Sequence, residues 1–135
     1  MALDGLTIYG IICELNTTLK GGKIDKITQP EKDEVLLAIR NEGKTYKLLI
    51  SASSSNPRIY LTESHKKENP LKAPMFLMIL RKYLQGGRII SISQEGLERV
   101  INIDIEALDD LKTSKLRTLS IEIMGRHSNI ILVDK

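Results

Sequence analysis

Cysteine and histidine are scarce in this sequence. The single cysteine, Cys13, excludes an internal disulfide and any CxxC metal site, and it fits a reducing compartment. Two histidines, His65 and His127, are too few for a His-rich metal centre. No apolar run approaches the ~18 residues of a membrane-spanning helix. The opening stretch MALDGLTIYG lacks a basic leader and carries Asp4, so no signal peptide is read there and the expected location is cytoplasmic. A Walker loop is also missing, because Lys20-Gly21-Gly22-Lys23 has neither the spacing nor the Lys-Ser/Thr ending. HExxH is absent. Ser128 directly follows His127, and adjacent residues rarely form a nucleophile and base pair. With no constellation for catalysis, a metal or a cofactor, the expectation is a binding module rather than an enzyme.

Charge of one sign is not in large excess either. The net charge of +3 over 135 residues does not by itself identify a nucleic-acid binder. Its distribution says more. Between His65 and Arg88 the basic residues are Lys66, Lys67, Lys72, Arg81, Lys82 and Arg88, against one acid, Glu68. A second basic knot, KGGKIDK, runs from Lys20 to Lys26. Solvated loops explain both stretches. So does a phosphate-facing surface, where lysine and arginine gain affinity by releasing counterions from nucleic acid.

What is present is a run of well-punctuated elements. Ile8, Ile11, Ile12, Leu15 and Leu19 follow helical spacing, which predicts a helix near residues 4–19 with Asp4 as N-cap and Gly21-Gly22 as its stop. Val35–Arg40 and Thr45–Ser51 flank a tight turn at Asn41-Glu42-Gly43-Lys44. Arg58–Thr62 reads as a further strand. Pro74 and Gly86-Gly87 bracket a second helix near residues 74–85. Its first half is apolar on nearly every face, which predicts burial and makes Met75 and Met78 core filler. The last third alternates in strand fashion: RIISISQ, ERVINIDI, Leu116–Met124 and Ile130–Val133. In ERVINIDI the isoleucines 101, 103 and 105 share one face with Arg99, while Glu98 has the opposite parity.

Helix, strands, helix, strands in that order argues an α+β domain with antiparallel, hairpin-linked strands. No internal repeat and no low-complexity tract is read in the chain. Residues 1–135 form one domain, and the chain stops directly after a strand, as a fragment of a longer protein would.

One stretch asks for more than a fold. In IEIMGRHSNIILV, residues 121–133, two apolar runs enclose Arg126, His127, Ser128 and Asn129. Gly125 and Asn129 suit a hairpin turn. Arg126 and His127 are not needed for one. Arginine and histidine there can donate to RNA phosphates or stack on unpaired bases.

Several stretches together resemble the N-terminal domain of the NFACT family, called fibronectin-binding protein A in older bacterial naming. They are ALDGL at residues 2–6, GKIDKI at 22–27, RIYLT at 58–62, PMF at 74–76 with LRK at 80–82, and EIMGRHSNIIL at 122–132. The resemblance implies an antiparallel β-sandwich flanked by helices, similar to the N-terminal domain of formamidopyrimidine-type DNA glycosylases. It implies an RNA-binding, non-enzymatic part of a ribosome quality-control factor. Such factors bind obstructed large ribosomal subunits carrying peptidyl-tRNA and recruit alanine tRNA for untemplated tailing. The family's functional acid–arginine pair falls on Glu98-Arg99, with glutamate in place of aspartate, and a further family aspartate falls on Asp4. Together with Lys66, Lys67, Arg81, Lys82, Arg126, His127 and Asn129 these are the candidate RNA-binding residues. Two other readings compete. One is a glycosylase-like enzyme, although Ala2 and Leu3 stand where those enzymes carry proline and glutamate. The other is a surface adhesin that binds fibronectin. No membrane partner is expected.

Overall fold

The computed structural model describes residues 5–29, 34–52, 58–62, 75–94, 100–108, 111–122 and 129–134. Helix α1 spans Gly5–Leu19 and is followed by β1 (Lys23–Thr28), β2 (Glu34–Asn41), β3 (Lys44–Ser51) and β4 (Arg58–Thr62). Helix α2 spans Met75–Leu84 and is followed by β5 (Arg88–Gln94), β6 (Val100–Leu108), β7 (Ser114–Glu122) and β8 (Asn129–Asp134). The strands form one antiparallel sheet in the order β4-β3-β2-β1-β5-β6-β7-β8. The architecture is α+β, as the element order predicts.

Apolar residues on alternate strand positions set the layers. Val35, Leu37 and Ile39 of β2 and Ile101, Ile103 and Ile105 of β6 are buried, and they join Leu48, Ile50, Leu119 and Ile121 in one core. Both four-stranded halves turn their inner faces into it. Ile12, Leu15 and Leu19 of α1 and Leu77, Leu80 and Leu84 of α2 fill it from the helical side. Helix α1 packs on β5 and β2, and α2 packs on β1 and β6, so each helix covers strands of both halves. The β2–β3 hairpin closes through Glu42-Gly43 with φ of 51° and 81°, the left-handed pair that a two-residue turn between twisted strands requires.

Two expectations are corrected. Met75 and Met78 are not core filler: they are 73% and 55% exposed. A helix resting on one side buries one stripe, and Leu77, Leu80 and Leu84 occupy it. The chain also does contain an internal repeat. Each half runs helix, Gly-Gly, then four strands, and the halves meet at a pseudo-twofold axis where Lys23 pairs with Arg88. Hydrogen bonds cross this point reciprocally. The Ile24 amide donates to Gly87 O (2.8 Å) and the Ile89 amide to Gly22 O (2.9 Å). The Gly21 amide donates to Ile89 O and the Gly86 amide to Ile24 O, both at 2.7 Å. Each half carries a register shift just beyond, between Ile24 and Lys26 and between Ile89 and Ser91.

Candidate nucleic-acid interface

The described strand ends that border two of the candidate segments lie side by side in the sheet. Strand β6 begins at Val100, immediately after Arg99. Strand β7 ends at Glu122 and β8 begins at Asn129. Val100 pairs with Glu122, and Glu122 pairs with Asn129, so the three positions form a row across adjacent strands. These positions border, in sequence, the segments that contain Glu98-Arg99 and Arg126-His127. Those four residues themselves lie outside the described residues, as do Asp4, Lys66 and Lys67. Asn129 is described as the backbone opening of β8.

The remaining two candidates, Arg81 and Lys82, differ in burial and in partners. Arg81 is half-buried, and its Nε donates to the Ile27 carbonyl at 3.0 Å, tying α2 to β1. The equivalent position of the first half is Asn16, whose Oδ1 accepts from the Ile92 amide at 2.9 Å. Ile27 and Ile92 are themselves equivalent, each just past the register shift of its strand. Both side chains thus serve backbone groups that the shifted ladder leaves available. Arg81 has a structural task whatever else it contacts. Lys82 is exposed, with Nζ 5.2 Å from the Tyr83 ring centroid.

The sequence reading passed over Arg117. It is 5% exposed, pairs with Ile105 on the inner face of β6, and places its guanidinium carbon 4.5 Å from the centroid of Tyr83. Its parity with Leu119 and Ile121 in β7 was the available signal, since a cation on a core-facing position needs a local partner. On the outer face of the second half, Asp104 accepts from Thr118 Oγ1 (2.6 Å) and Ser91 Oγ (3.2 Å), which knits β5, β6 and β7 together. Among the described residues no group of three or more His, Cys, Asp or Glu could hold a metal ion. No described helix is long and apolar enough to cross a membrane.

The family of NFACT N-terminal and middle domains matches residues 4–135. The chain belongs to the NFACT family. The Rqc2 homolog RqcH of Bacillus subtilis is 46% identical over 134 residues, which cover 99% of this chain and 23% of that protein. This NFACT chain thus spans about a quarter of that relative's length. The ribosome quality control complex subunit NEMF of Homo sapiens is 25% identical over 129 residues, covering 96% of this chain and 11% of that protein. Among solved structures, the N-terminal domain of fibronectin-binding protein PavA from Streptococcus pneumoniae superposes with a TM-score of 0.94 at 43% identity, covering 98% of this chain and 49% of that one. The fold is therefore that of the NFACT N-terminal region.

Proposed function

We propose that this chain is the RNA-binding module of a cytoplasmic ribosome quality-control factor. The full-length protein binds large subunits blocked by peptidyl-tRNA and recruits tRNA, alanine-specific in the family, for untemplated tailing of the stalled peptide. The module is non-enzymatic and needs no cofactor. The observation that carries this reading is the row Val100, Glu122 and Asn129 at one end of β6, β7 and β8, since these positions border in sequence the segments that hold Glu98-Arg99 and Arg126-His127. Together they offer a planar arginine fork, a second arginine, an imidazole and a carboxylate, which suit phosphate and unpaired-base contacts. The likeness to RqcH and NEMF supports the same role.

The test is tRNA association of the full-length protein purified from cells. Arg99→Ala should abolish most tRNA recovery while the melting temperature stays close to that of the parent. Arg99→Lys should lose much of it, because lysine cannot make the bidentate contact. Glu98→Asp should retain it. Loss of tRNA only in proportion to unfolded protein would reject the reading. The likeness to fibronectin-binding protein PavA supports a second reading, fibronectin binding. Binding of the purified protein to immobilised fibronectin, with no RNA present, tests that one separately.

A further inference from the structure

Strand pairing assembles a group of cations that are distant in sequence. Lys23 of β1 lies opposite Arg40 of β2 on one side and opposite Arg88 of β5 on the other. Directly opposed residues project to the same face with Cβ atoms about 5 Å apart. All three are exposed, on the outer face of the sheet. Arg88 Nη1 donates to Gly21 O at 2.9 Å, which orients its fork beside the Gly-Gly turn. Neither Lys23 nor Arg40 makes a side-chain hydrogen bond or ion pair with a described side chain. Beyond Arg40 the row reaches Thr45, a wall of an open cleft of ≈ 630 Å³ that Lys44 and Lys47 also line.

Like charges directly opposite one another destabilise a sheet. The repeat supplies an internal control for whether the fold requires them here. The position equivalent to Arg40 is Glu106: the Cβ that Gly22 lacks would meet Ile39, next to Arg40, and the one that Gly87 lacks would meet Ile105, next to Glu106. In the second half Arg88 therefore faces a carboxylate. In the first half Lys23 faces another cation. The same backbone accommodates the complementary pair, so packing does not explain Arg40. Glu106 also bounds the row, which confines the positive field to the first half and to the axis. In the first half Asp25 and Glu42 are exposed, on the register shift of β1 and on the β2–β3 turn.

We propose that Arg40, Lys23 and Arg88 form a phosphate-binding row that grips the sugar-phosphate backbone of RNA without reading its bases. The inference rests on the RNA-binding role proposed above and adds a second contact to it. Glu106 lies six residues along β6 from Val100, roughly 20 Å at strand rise. The row is therefore separate from the sheet end at which β6 begins. A tRNA held at both places would be fixed in orientation as well as bound.

The test uses the full-length protein with three probes: a tRNA transcript and an unrelated RNA hairpin, each titrated with salt, and poly-glutamate. Arg40→Glu copies the second half. It should lower affinity for both RNA probes by about tenfold and make the salt dependence shallower by about one per lost phosphate contact. Its melting temperature should equal or exceed that of the parent, since Lys23 gains an opposite charge. Glu106→Gln should not lower affinity. Parent-like RNA binding by Arg40→Glu, beside normal binding by the parent, overturns the row but leaves the sheet-end site standing. Loss of binding to poly-glutamate with RNA binding intact overturns it too, in favour of an acidic protein surface. No RNA binding by the parent protein overturns the RNA role itself, and the row with it.

Discussion

Lys23 and Arg88 are equivalent residues of the two halves, and they face each other across the seam between β1 and β5. The flanking hydrogen bonds, Ile24 amide to Gly87 and Ile89 amide to Gly22, leave them as a non-hydrogen-bonded pair. That arrangement brings opposed side chains closest. Two cations at such a point raise the local electrostatic cost, yet among the described residues theirs is the one register pair joining β1 to β5. The seam is held by backbone geometry and by the helices that cover it, which leaves its outer side chains available for binding.

The glycines of the seam should be intolerant of a single methyl group. A Cβ on Gly22 would lie 2.7 Å from Ile39 Cγ2 and 3.0 Å from Leu19 O, and one on Gly87 would lie 2.8 Å from Ile105 Cγ2 and 2.9 Å from Leu84 O. Restricting the unfolded chain favours Gly→Ala by about 0.4–1 kcal/mol. Overpacking against a fixed carbonyl costs about 1–3 kcal/mol, so the clash wins. Gly22→Ala and Gly87→Ala should each be destabilised, by similar amounts, in urea denaturation. A stabilised Gly22→Ala would show that the crossover relaxes freely.

Tyr83 and Arg117 should be energetically coupled. The buried guanidinium sits 4.5 Å from the ring centroid, within cation–π range, and away from bulk water. A double-mutant cycle with Tyr83→Leu and Arg117→Lys should give a coupling of about 0.5–2 kcal/mol. Strict additivity of the two changes would mean that the stack contributes nothing.

Much of this fold was legible because each element had both a periodic pattern and an end signal. Arg58–Thr62 and Arg88–Gln94 are strands over the residues expected, and both helices end at their Gly-Gly pairs. The repeat was not read, for a physical reason. Its identities sit in a short helix-end and strand-start segment, Leu19-Lys20-Gly21-Gly22-Lys23-Ile24 against Leu84-Gln85-Gly86-Gly87-Arg88-Ile89. Elsewhere the matches, such as Ile27 with Ile92 and Ile39 with Ile105, are isolated apolar positions of the kind any half-buried strand has. The row Arg40-Lys23-Arg88 was half visible. KGGKIDK drew attention to Lys23, but Arg40 joins it only once β2 pairs with β1. A linear scan for basic runs cannot see cations brought together by register. Conversely, Arg81 and Lys82 are neighbours in sequence and diverge in space, because adjacent helical residues lie about 100° apart.

That divergence yields the last prediction. Arg81→Ala removes the Nε–H donor to Ile27 O at a half-buried contact between α2 and β1. Leaving a strand carbonyl without its partner costs about 1–3 kcal/mol, and the shortened side chain also loses its packing. Lys82→Ala removes an exposed charge whose ring contact at 5.2 Å is weak, so its stability should change by no more than about 0.5 kcal/mol. RNA binding should divide the two in the opposite sense. For Lys82→Ala, affinity should fall equally for unrelated RNAs and the salt slope should flatten, at unchanged melting temperature. For Arg81→Ala, any loss of RNA binding should track the unfolded fraction and recover on cooling to full folding. Melting curves and salt-titrated binding on both variants separate these outcomes. Unchanged stability in Arg81→Ala, with a sequence-independent loss of RNA affinity, would instead make Arg81 a phosphate contact whose hydrogen bond to Ile27 is dispensable.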